Sequence, residues 1–224
     1  MVRRLGFVVA VAAASCGPGP RRPSPPVAEH PDAAPAPGFD PAASAAQIRT
    51  LLRGQKYDQA LAAARAHVEA ALDDDAGPLL VAEALLLAGS TDDAVAMIEG
   101  LAAERPDDVD VQTLVGWSLE RTGRVDEASE ALRAVVEKDP THPRALRLLG
   151  MIRRAQFEIP ESVALLVRAT AADPLDAEAW FQLGIAQNEL GDNKKPEAAL
   201  VAYLRAAEGP TPHPKAVSKQ AHVL

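Results

Sequence analysis

Three prolines and three glycines recur at one interval along this chain of 224 residues. Pro106, Pro140 and Pro174 are each 34 residues apart, and so are Gly116, Gly150 and Gly184. Ala94 and Ala128 keep the same spacing, with Ser162 in the next slot, and Gly89 and Gly123 do likewise. Self-similarity at this period predicts a stack of small units, none able to bury its apolar face alone. Composition says that the units are helical. Apolar residues are 48% of the chain and aromatics only 4%. Alanine leads the apolar set and β-branched residues are sparse, which favours helices over strands.

The segments VDVQTLVGWSLERTGRVDEASEALRAVVEKDPTH (109–142) and PRALRLLGMIRRAQFEIPESVALLVRATAADPLD (143–176) show the plan of one unit. In the first, Leu114, Val115 and Leu119 share one helical face, and Leu132, Val135 and Val136 share another. Gly116, Gly150 and Gly184 fall inside predicted helices, where glycine costs about 1 kcal/mol relative to alanine. Close approach of a neighbouring helix offsets that cost, and the small residues at 94 and 128 fit the same account. Pro140 and Pro174 follow Asp and end a second helix, because the residue before proline disfavours α geometry.

These segments resemble tetratricopeptide repeats (TPRs). Val115-Gly116, Gly123, Ala128 and Asp139-Pro140 stand in the family's positions, as do Trp180, Leu183-Gly184 and Gly191 in residues 177–210. Residues 75–108 keep Ala82, Gly89, Ala94 and Pro106, and 41–74 form a degenerate first copy marked by Tyr57 and Ala60. The resemblance implies an all-α fold, a right-handed α-solenoid of about five stacked helix-turn-helix repeats over residues 42–210. Four departures stand out. Phe157 occupies a turn-glycine slot, Pro160 opens a second helix, and Arg153 takes a place where the family buries an aromatic. About three extra residues around Asn193–Pro196 predict a longer loop before a helix over 197–207. The tail, 211–224, reads as a short capping helix or a frayed end.

The N-terminus has a different character. Arg3 and Arg4 precede an apolar run, Leu5 to Ala14, that is too short to span a bilayer as a helix. This is the layout of a secretory signal peptide over residues 1–15. Ala13-Ala14-Ser15-Cys16 resembles the lipobox of bacterial lipoproteins, which implies acylation at Cys16 and a membrane anchor. Gly17 after the cysteine implies the outer membrane by the same resemblance. Two other readings stay open: ordinary cleavage after Ala14, or an apolar segment that is never processed. Residues 17–41 hold nine of the nineteen prolines. With no hydrophobic period, residues 16–41 read as a flexible Pro/Ala-rich linker. At about 3.1 Å per residue it would reach roughly 75 Å.

Chemistry is sparse. One cysteine excludes an intramolecular disulfide and a Cys-based zinc site. The five histidines never sit at metal-ligand spacing, and a net charge of −8 argues against nucleic acid. Asp73-Asp74-Asp75 and Asp107-Asp108 precede predicted helices, where acidic residues cap and meet the macrodipole. No nucleophile, base and oxyanion donor assemble, so neither an enzyme nor a cofactor is expected.

What remains is binding of protein or peptide partners. By resemblance, the first helices of successive repeats line a concave groove. Carried over by position, that places Leu79, Glu83, Thr113, Trp117 and Glu120 on it, then Arg144, Arg147, Met151 and Arg154, then Phe181, Ile185 and Asn188. An apolar centre beside an arginine cluster suits a peptide or helix with an apolar anchor and acidic flanks. The competing reading packs Trp117 and Phe181 between repeats and leaves the arginines solvated. The Lys/Asn pattern with which some TPR co-chaperones clamp a carboxylate is absent. The expected role is a lipid-anchored envelope scaffold. The alternatives are a secreted or periplasmic adaptor without lipid, and a non-catalytic accessory subunit of an envelope complex.

Overall fold

In a computed structural model of the chain, the described residues form ten helices paired as antiparallel hairpins. It describes residues 39–71, 73–190, 196–208, 212–213 and 215–216. All of them fall in one unit of the chain, Ala34–Leu224. The signal-like segment, Cys16, most of the proline-rich stretch, the loop 191–195 and most of the tail lie outside the described residues.

The first helices are α1 (Pro41–Arg53), α3 (Ala76–Ala88), α5 (Val109–Arg121), α7 (Pro143–Ala155) and α9 (Ala177–Leu190). The second helices are α2 (Tyr57–Ala70), α4 (Thr91–Glu104), α6 (Val125–Lys138), α8 (Ile159–Ala172) and α10 (Pro196–Glu208). Each helix packs on the next, and each first helix also touches the first helix of the following repeat. The five first helices thus form an inner layer, backed by the second helices, in a right-handed solenoid.

Local chemistry sets the boundaries. Asp40 caps α1 by accepting from the backbone N–H of Ala42 and Ala43, and Asp108 caps α5 through Asp110 and Val111. His142 caps α7: its ring nitrogen Nδ1 accepts from the N–H of Ala145 at 3.2 Å, with Pro143 at the first helical position. The acidic triplet behaves less simply. Asp75 makes no side-chain cap, and Asp74 does the capping instead, accepting from Ala76 N–H at 3.0 Å. No group of three metal-binding side chains occurs among the described residues.

The turn inside each of the first four hairpins holds one left-handed residue. Gln55, Gly89, Gly123 and Phe157 hold that slot, with φ of 57°, 84°, 81° and 65°. Phe157 therefore adopts the glycine conformation despite its bulk, and its ring is 88% exposed. Arg153, four residues before it, is 7% exposed and ion-paired. Its guanidinium donates to Gln156 and to Glu158, both at 3.0 Å, and lies 3.2 Å from Glu161. The aromatic slot of repeat four thus becomes a buried arginine with two carboxylates.

Candidate functional site

The inner layer encloses a cavity of about 400 Å³. It draws on all five repeats. Arg49, Glu83, Trp117 and Met151 line it at intervals of 34, one from each of α1, α3, α5 and α7. The period that stacks the repeats therefore also aims one face of every first helix into the same space. Tyr57, Leu52, Leu87 and Leu148 add apolar wall, while Asp173, Asp176, Glu178 and His213 close it from the far end.

The arginines are not a free cationic cluster. Arg144 donates to Glu83 at 2.6 Å and stands over the Trp117 ring at 6.0 Å. Arg147 donates to Asp176 at 2.9 Å. Arg154 does not line the cavity; it reaches Glu189 at 3.1 Å. The carboxylates that meet these three arginines come from this chain. Across the lining, Arg49, Arg53, Arg121, Arg144 and Arg147 face Glu83, Glu120, Asp173, Asp176 and Glu178. The wall is charged but balanced.

Other expected groove residues are placed elsewhere. Phe181 is buried and stacks on His213, with ring centroids 4.0 Å apart. Ile185 packs beside it, and neither lines the cavity. Leu79 joins the inter-repeat core, and Thr113 is buried, donating to the Val109 carbonyl at 2.7 Å. Asn188 is also absent from the lining. Trp117 does both jobs: it is only 7% exposed, belongs to the core, and still lines the cavity.

Sequence reasoning missed Arg49, Arg53, Tyr57 and the far wall. Arg49 was available from the period, one interval before Glu83. The others come from curvature. Arg53, ending α1, donates to Asp173, between α8 and α9, at 2.9 Å across 120 residues. Nothing in a linear repeat reveals that the first and fourth copies meet.

Burial shapes the electrostatics at this wall. Burial alone pushes the Glu178 carboxyl up, but hydrogen bonds from His213 and Gln182 and the Arg147 charge outweigh it and hold it down at about 2. The Tyr57 phenol is pushed up by burial and by the nearby Glu178 charge. The pairs Arg53–Asp173, Arg144–Glu83, Arg147–Asp176 and His213–Glu178 offset the cost of burying charge at this wall.

Comparisons with known proteins agree with the geometry. Models described as Tetratricopeptide repeat match residues 85–152 and 147–214. A thermophilic TPR protein of Thermus thermophilus superposes with a TM-score of 0.63 at 16% identity, covering 82% of this chain and 98% of that one. YrrB, a TPR protein with an unusual peptide-binding site, gives a TM-score of 0.49 at 18% identity, covering 81% of this chain and 92% of its own. Peroxisome biogenesis protein 5 of Arabidopsis thaliana is 33% identical over 89 residues, which are 40% of this chain. The chain spans only 12% of that relative's length. The chain belongs to the tetratricopeptide-repeat proteins. It is a repeat scaffold of the kind that mediates protein–protein contacts, with no catalytic constellation among the described residues.

Proposed function

We propose that the chain is a non-catalytic adaptor whose inner groove takes up a short extended segment of a partner protein. The observation that carries this is the register of Arg49, Glu83, Trp117 and Met151, which turns four repeats toward one cavity. Size argues against a docked helix. A helix with side chains is about 10–12 Å across, whereas about 400 Å³ suits a few residues of extended chain. The balanced wall favours a segment of little net charge, with an apolar side chain set against Trp117 and Met151.

The adaptor reading needs no lipid. The envelope placement rests on residues 1–16 alone, and acyl labelling of wild type and Cys16→Ser decides whether an anchor is present. An accessory-subunit role within an envelope complex uses the same groove. Among the described residues, no helix is long and apolar enough to cross a membrane.

The test is a titration of acetylated, amidated tetrapeptides carrying one central Leu, Met or Phe. Saturable perturbation of the Trp117 indole signal in wild type, lost in Met151→Glu with the melting temperature kept, supports the groove. No saturable binding by any of the set overturns it.

A further inference from the structure

The groove ends at a histidine supplied by the tail. His213 is buried, its ring lies on Phe181 at an interplanar angle of 16°, and Nε2 is 2.8 Å from Glu178. A carboxylate only accepts, so Nε2 carries the proton and donates. Nδ1 is left buried without a hydrogen-bond partner.

A related His-Pro-basic-Ala segment stands earlier in the chain. His142 is followed by Pro143, Arg144 and Ala145, and His213 by Pro214, Lys215 and Ala216. Ala145 and Ala216 are both fully buried. His142 Nε2 meets Asp110 at 3.0 Å, and His213 meets Glu178. Asp110 and Glu178 stand two repeat intervals apart, 68 residues, at the same place in their helices. The separations are 32 residues for one pair and 35 for the other, and the three extra residues of repeat five account for the difference. The imidazole–carboxylate pairing is shared, but Nδ1 of His142 accepts from Ala145 N–H whereas Nδ1 of His213 has no hydrogen-bond partner. His142 does not line the cavity, whereas His213 does.

We infer that His213 is the positioning residue of the groove's far wall: it seals Phe181 off and holds the Glu178 carboxylate in place beside Arg147. The inference rests on the groove reading and specifies which side chain fixes the charge that an occupant meets there. Glu178, Phe181 and the α10 residue Ala206, whose carbonyl accepts from His213 N–H at 2.8 Å, contact the imidazole residue directly. Arg147 and Tyr57 share the same wall.

Three full-length variants test it. His213→Phe keeps an aromatic ring on Phe181 and deletes the donor. His213→Gln keeps a donor at nearly the reach of Nε2. His142→Phe removes the related imidazole–carboxylate pairing away from the groove. The readout is the Glu178 side-chain carboxyl signal followed by NMR against pH, with no peptide present. The expected result is a midpoint that rises by about one pH unit or more in His213→Phe. Most of the lowering returns in His213→Gln, and His142→Phe leaves Glu178 unmoved. A midpoint unchanged in His213→Phe, or raised equally by His142→Phe, overturns the inference. This titration stands whether or not the tetrapeptides bind, so the two readings fail separately.

Discussion

Gly116 faces Leu132 so closely that a Cβ on the glycine would stand 2.6 Å from the leucine Cγ. One interval later, a Cβ on Gly150 would stand 2.8 Å from Leu166 Cγ. The equivalent positions of the two earlier repeats, one interval and two intervals before, hold Ala82 and Ile98, then Ile48 and Ala64, all buried. In the first four repeats the register thus sets one large side chain opposite one small one, and which helix supplies the large one is free to change. The predicted consequence is that Gly116→Ala destabilises by about 1–3 kcal/mol through overpacking. Adding Leu132→Ala costs less than the sum of the single changes, by about 1 kcal/mol, in a denaturation cycle. Gly100 in α4 is the control: a Cβ there meets nothing within 4 Å, so Gly100→Ala stabilises by about 0.5–1 kcal/mol.

Phe157 holds a left-handed turn at φ 65° and contributes almost no packing. Replacing it with glycine relieves the conformational penalty, less the entropy regained by the unfolded chain. The expected gain is about 0.5–1 kcal/mol, read as a raised melting temperature. A lowered one would show that the ring packs on something within this chain.

The Glu178 carboxyl is held at about 2 against an ordinary 4.5. The unfolded state therefore binds its proton first as pH falls. Its stabilising contribution is fully present above about pH 4.5 and is lost as pH drops through about 2. Asp110, lowered by its hydrogen bond from His142, acts in the same direction. Urea melts between pH 5 and 2 are expected to show a shallower acid decline in Glu178→Gln than in wild type.

Arg53 and Asp173 join distant repeats, but both side chains are substantially exposed. A double-mutant cycle with Arg53→Ala and Asp173→Ala is expected to give a coupling of about 0.2–1 kcal/mol that falls as salt is added. A larger, salt-insensitive coupling would mean that the pair is the main fastening of the groove mouth.

The stacking was legible because it repeats. Pro140, Gly116 and Ala128 mark a helix end, a close contact and a second helix, and each has a local physical reason at a fixed interval. The groove was legible only as far as the interval carried it, to Glu83, Trp117 and Met151. Its electrostatics were not. That Arg144 is neutralised by Glu83, 61 residues away, and that Asp173 reaches Arg53, follow from the superhelix and not from any window of sequence. Phe181 was misplaced for a related reason. Its helix face points to the groove side, but His213 covers it, and the tail's histidine comes into register only after the insertion in repeat five is counted.

The most direct measurement is position-specific photocrosslinking. A photoreactive side chain is placed at Met151, on the inner wall, or at Val167, exposed on α8. Each protein is irradiated with the apolar tetrapeptides under identical conditions. The account predicts saturable crosslinks from position 151 that excess unlabelled peptide competes away, and none above background from 167. Equal yields from both positions, or crosslinks from 167 alone, would contradict it.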